Sequence, residues 1–190
     1  MKLKSPEKEE LIYQTVLDIT MEKGLSGLKI SEIARQAGLA HGTVYIYFKN
    51  KKVLINELYK KAKRKASNNI LDSTDLEGDY RVTLKLIWEN YLSYLIDNQR
   101  ATNFLMQCVQ SPFLEKESLK IGDDFLMHLN LFFEKGKKDR QIKNLNNELI
   151  ISVIIGLAKE IVRKVNEKTL KISDELIEDS FELCWNAIRR

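Results

Sequence analysis

The stretch from Leu28 to Tyr47, LKISEIARQAGLAHGTVYIY, constrains the fold more than any other part of the chain. Ile30, Ile33, Ala34 and Ala37 follow the three-four spacing of one helical face. A second short segment, His41–Phe48, sets Val44, Tyr45 and Phe48 inward and leaves His41, Gly42, Thr43, Ile46 and Tyr47 outward. Gly38-Leu39-Ala40 lies between them, and Gly38 suits the left-handed backbone that ends one helix and turns the chain into the next. Two short helices joined this tightly form either a helix-turn-helix, whose second helix enters the DNA major groove, or an ordinary αα-corner in a helical core.

Charge separates these readings. Residues 1–66 hold fourteen Lys/Arg against seven Asp/Glu, whereas residues 67–190 hold seventeen against twenty. The chain's net +4 is therefore a basic head on a slightly acidic body, the electrostatic footprint of a phosphate-binding domain. Lys51 and Lys52 add to it. They open a helix expected over Lys51–Ala66, with Asn50 as N-cap and Leu54, Leu58 and Ala62 on its buried side. Cations oppose the dipole in a first helical turn, and DNA phosphate beside that end would supply the missing negative charge. The competing reading is two solvated lysines.

The ordered set I-A-x-x-A-G at Ile33–Gly38, G-T-V-Y-x-Y-F at Gly42–Phe48 and then Lys51 resembles the TetR family of one-component bacterial transcriptional regulators. The resemblance runs from Ile12 to Leu58 and includes EKG at Glu22–Gly24. It departs from the family pattern at Thr20, where an aromatic residue is usual. It departs again at Leu28 and Lys29, where Ser or Thr is usual, and at Lys52, where an acid is usual. Lys29 cannot cap a helix, which leaves Ser31 or water to do so.

The resemblance implies an all-α chain of about nine helices. A three-helix DNA-binding head (residues 1–66, motif 28–47) precedes a helical effector-binding and dimerisation bundle (residues 67–190). Composition agrees: the chain has 190 residues, 44% hydrophobic, with only eight Gly and two Pro. Four of those glycines lie between Gly24 and Gly42, so long helices with few breaks are expected beyond the head. Ser5-Pro6-Glu7 starts a first helix that reaches Lys23, with Lys2 and Lys4 ahead of it as a basic tail within reach of backbone phosphate. The acidic run Asp72–Asp79 marks the division. Further helices are expected near 80–98, 101–111, 117–138, 146–168 and 173–189. The longest near-apolar run, Leu149–Ala158, is far short of the ~20 residues that span a bilayer. With no signal-peptide core at the N-terminus, a cytoplasmic location and no membrane partner are expected.

By the resemblance, His41, Gly42, Thr43 and Tyr47 reach bases or nearby phosphates. Tyr45 and Lys51 hold the DNA backbone, Lys29 and Ser31 approach phosphate, and Ile46 touches a thymine methyl group. The resemblance also implies a pocket for a small effector. Aromatics with a polar tip suit an apolar pocket, and the candidates are Trp88, Tyr91, Phe104, Cys108, Phe125, His128 and Phe132. No cluster of charges converges there, which favours an apolar or aromatic effector; ordinary core packing is the competing reading. The segment Leu149–Val165 is apolar nearly all round and must be buried on every side, either within one chain or against a second copy. The interface candidates are Ile151, Ile154, Ile155, Ala158, Ile161, Val162, Phe181, Trp185 and Ile188.

Catalysis finds little footing. Two histidines and two cysteines form no metal spacing, and there is no phosphate loop or nucleophile elbow. No cofactor or metal is expected. The favoured reading is a dimeric regulator, a repressor released from a palindromic operator by a small effector. The alternative is a helical binding or adaptor protein that keeps the fold without DNA recognition, and a small helical enzyme is the remotest.

Overall fold

The computed structural model describes residues 5–190, so Lys2 and Lys4 lie outside the described residues. Among the described residues ten α-helical segments run in this order: α1 (Pro6–Lys23), α2 (Ile30–Gln36), α3 (His41–Tyr47), α4 (Lys51–Ile70), α5 (Tyr80–Asp97), α6 (Gln99–Val109), α7 (Lys116–Leu119), α8 (Asp123–Lys138), α9 (Asn147–Asn166) and α10 (Asp174–Ile188). Short 3-10 turns occupy Leu25–Gly27 and Lys120–Gly122. The expected all-α class holds among the described residues, where the one β-type pairing is an isolated bridge between Ile142 and Arg189.

Helix starts follow the capping chemistry written in the sequence. Ser5 accepts from the Lys8 amide with Pro6 in the first turn, Asn50 accepts from the Val53 amide at 2.9 Å, and Ser173 accepts from the Leu176 amide at 3.1 Å. Two boundaries differ from expectation. α4 continues past Ala66 to Ile70, and the single helix expected over 117–138 is broken into α7, a 3-10 turn and α8. Within α7, Ser118 is fully buried and its hydroxyl donates to Asn56 Oδ1 at 2.6 Å, which ties α7 to α4.

The chain forms two compact units. The first comprises residues 1–65 together with 98–122, and the second residues 66–97 with 123–190. This differs from the expected division at 66/67, because α6 and α7 belong with the head. Phe104 and Cys108 of α6 have no exposed surface and share one core with Ile12 and Val16 of α1, Leu28, Ile33, Val44 and Leu54. Polar ties reinforce the union: Gln107 accepts from the Leu25 amide at 2.7 Å, and Arg100 pairs with Asp18. Thr20 sits in this core with a buried hydroxyl that has no hydrogen-bond partner.

In the second unit α5 packs on α9 and α10 around Trp88, Phe133 and Phe181. Trp88 Nε1 donates to Ser180 Oγ at 3.3 Å, which satisfies the one polar atom that a buried indole carries. Tyr80 lies flat on Phe132, with ring centroids 4.3 Å apart. No helix among the described residues is long and apolar enough to cross a membrane.

Candidate nucleic-acid interface

The first unit carries seventeen Lys/Arg against nine Asp/Glu and the second fourteen against eighteen, so the basic excess belongs to the unit that holds α2 and α3. Within it Gly38 has φ of 62°, the left-handed conformation expected at the turn, and α2 packs on α3. Ile33 and Val44 are fully buried and fix both helices to the core. Neither helix start has a side-chain cap at Lys29 or Ala40.

The open face of α3 consists of His41, Gly42, Tyr45 and Ile46, with Thr43 half-buried beside them. His41 and Tyr45 meet edge to face, with centroids 5.2 Å apart. A side chain at Gly42 would meet nothing, so a ligand's backbone can approach there without hindrance. Two large apolar-bodied residues, Tyr45 and Ile46, stand 47% and 42% exposed on a helix of seven residues. Lys29 and Ser31 are also exposed, at the start of α2.

The two tyrosines exchange the places expected of them. Tyr47, expected outward, is buried, and Tyr45, expected inward, is open. The Tyr47 hydroxyl accepts from the Ser5 amide at 2.8 Å and so anchors the start of α1. Val44, Tyr47 and Phe48 keep the three-four spacing as well as the expected set does, which is why periodicity left the choice open.

Lys51 and Lys52, expected to stand near phosphate or in solvent, both have partners within the chain. Lys51 Nζ donates to the Leu25 carbonyl at 3.2 Å and stands 4.8 Å from the centre of the Phe113 ring. Burial, with the Lys29 charge nearby, pulls its ammonium below the ordinary lysine value. Lys52 pairs with Glu115 at 2.9 Å and remains half exposed. On the far side of α2, Glu32 joins Lys23 of α1 to Arg35 and Gln36, and these bonds hold its carboxyl well below the usual carboxylate range.

The seven expected pocket residues are divided between the two units. Phe104 and Cys108 lie in the core of the first unit, whereas Trp88 and Phe132 are buried in the core of the second. Tyr91 and Phe125 pack half-buried against that second core, and His128 is exposed with Nδ1 2.7 Å from the Asp124 carbonyl. The interface set divides too. Ala158, Phe181 and Ile188 have almost no exposed surface within one chain, and Ile161, Val162 and Trp185 have little, so these six serve the chain's own core. Ile151, Ile154 and Ile155 are half-buried, and Leu149 beside them is 52% exposed. α9 is therefore not enclosed on every side by its own chain.

A pair of short helices packed together across a tight glycine turn on a basic unit, with an open second helix, defines a helix-turn-helix DNA-binding protein. Residues 17–58 match the family of bacterial regulatory proteins of the tetR type, and residues 59–190 match the tetracyclin repressor-like C-terminal domain. The chain belongs to the TetR family and is a DNA-binding transcriptional regulator. It is 28% identical over 166 residues to the transposon Tn10 TetC protein of Escherichia coli, covering 84% of this chain and 81% of that one. A TetR family transcription regulator from Marinobacter aquaeolei VT8 shares its fold with a TM-score of 0.88 at 20% identity, over 96% of this chain and 95% of the other. The transcriptional regulator FadR from Bacillus subtilis, solved in complex with stearoyl-CoA, does so with a TM-score of 0.72 at 23% identity, over 95% and 99%.

Proposed function

We propose that the protein acts in the bacterial cytoplasm as a homodimeric repressor that binds a palindromic operator and leaves it when a small effector binds. The observation that carries the DNA half of this reading is the open α3 face, with Tyr45 and Ile46 exposed, on the more basic of the two units. Ile46 is suited to a thymine methyl group, and His41, Gly42 and Thr43 to base edges or phosphate nearby. Tyr45 takes the phosphate-facing role, with Lys29, Ser31 and Lys51 approaching the backbone. Two such faces read half-sites about one helical turn apart.

The dimer reading is supported by the half-buried apolar side of α9. Gly156 lies on the exposed side of the same helix, with Ser152 and Leu149, in open space where a second helix can approach closely. For the effector, the second unit offers an aromatic and aliphatic interior around Trp88, Tyr91, Phe125 and Phe132, which suits a largely apolar molecule. An acyl thioester is the first probe to use, because a protein of the same fold was solved with stearoyl-CoA. Such a ligand shifts DNA binding only by its differential affinity for the bound and released forms.

Fluorescence anisotropy with a duplex from upstream of the protein's own coding region tests the reading. The logarithm of the affinity should fall linearly with the logarithm of salt, at about 0.9 per phosphate neutralised, and stearoyl-CoA should lower the affinity at fixed salt. A salt-independent affinity removes the phosphate contacts. An affinity unchanged by the thioester removes that effector class.

A further inference from the structure

Asn56 is a fully engaged polar side chain in the core of the first unit. It is 2% exposed, and its neighbours on α4, Leu54, Ile55, Leu58 and Tyr59, all belong to the apolar core. Its amide nitrogen donates to the carbonyls of Lys52 and Phe113, both at 2.9 Å. Its amide oxygen accepts from the Glu115 amide at 2.9 Å and from the Ser118 hydroxyl at 2.6 Å. Both donors and both acceptor positions are thus in use. A buried amide matched in this way fixes its partners, since moving any of them strands a polar group away from water.

The segment it fixes, residues 113–118, is also the segment that engages the two lysines opening α4. The Phe113 ring lies under Lys51 Nζ, and the Glu115 carboxylate pairs with Lys52 Nζ. The Lys51 ammonium is further tied to the Leu25 carbonyl, so its position depends on groups from two other stretches of the chain. We infer that Asn56 is a positioning residue for DNA binding: by locking residues 113–118 to α4 it sets where the Lys51 and Lys52 ammonium groups stand. The inference rests on the reading that this pair of lysines meets phosphate. It also gives a reason for a polar residue at a core position, where leucine would bury as well and hold nothing.

A double-mutant cycle separates positioning from simple support of the fold. Wild type, Asn56→Ala, Lys51→Ala/Lys52→Ala and the triple variant are titrated against a mixed-sequence duplex at about 50 and 200 mM salt. Asn56→Ala should bind roughly tenfold more weakly at the lower salt, with an unchanged salt slope, because it removes no phosphate contact outright. In the double-lysine background the same change should cost less than about twofold, because the groups it positions are gone. A folded Asn56→Ala protein with wild-type affinity overturns the inference, as does an equal loss in both backgrounds. Should circular dichroism show Asn56→Ala unfolded, Ser118→Ala, which removes one of the four bonds, should give a smaller loss in the same direction. Unchanged binding by that variant is equally fatal. A wild-type chain that ignores the duplex overturns the lysine reading first, and this inference with it.

Discussion

Tyr80 lies flat on Phe132 only because position 136 carries no side chain. A Cβ built there would stand 2.4 Å from the Tyr80 ring, and a ring stacked on one side has nowhere to retreat. Overpacking of this kind costs about 1–3 kcal/mol, so Gly136→Ala should lower the urea midpoint accordingly. Gly122 is the comparison. Its added Cβ would approach Lys63 Cε at 2.7 Å, the far end of a long side chain that shifts more easily than a stacked ring, and Gly122→Ala should cost clearly less than Gly136→Ala. Equal losses from the two changes would show that the Tyr80 stack is not the constraint. The cysteines are a second residue-scale case. Cys108 and Cys184 are buried and free, and burial pushes both thiols up to about 12. Thiolate is the reactive form, so a native sample at about pH 8 should react with a thiol reagent only as fast as it unfolds. Two thiols should then be released in denaturant. Rapid labelling of the folded protein would contradict this packing.

At the scale of the element, α3 puts two tyrosines to opposite uses. Tyr45→Ala should leave the thermal midpoint nearly unchanged while weakening DNA binding several-fold, since its ring is open and its loss leaves no cavity. Tyr47→Phe should do the reverse. It removes the hydroxyl that accepts from the Ser5 amide, at a stability cost of about 1 kcal/mol, with DNA affinity kept. The opposite pattern, measured by calorimetry and anisotropy on the same samples, would restore the assignment that periodicity suggested. That assignment shows where sequence reading stops. Caps and the glycine turn are local and were legible, because each depends on residues within one or two turns of one another, and the basic head was legible as a simple sum of charge along the chain. The phase of a seven-residue helix is not local: it is settled by Ser5, forty-two positions before Tyr47. The place of α6 was illegible for the same reason, since Gln107 meets Leu25 across eighty-two positions. Pocket candidates chosen by helical spacing alone consequently fell into two separate cores.

For the molecule as a whole, the proposed dimer needs a surface that one chain leaves uncovered once it has built its own core. Phe181 and Ile188 are enclosed within one chain, while Ile155 and Leu149 on α9 keep part of their apolar surface in water. These two pairs should respond differently to a charge. Phe181→Asp places an unpaired carboxylate in a packed interior, and it should abolish the folded state. Ile155→Asp places one where its own chain covers only part of the side chain and water can still reach the carboxylate, so it should leave helicity and the unfolding midpoint far closer to wild type than Phe181→Asp does. Light scattering should then find a single chain's mass in place of two. A single chain presents one α3 face in place of two, and its affinity for a palindromic duplex should drop toward that for one half-site. An Ile155→Asp protein that remains a dimer would move the interface off this side of α9. One that unfolds would show that the same surface is needed to complete the chain's own core.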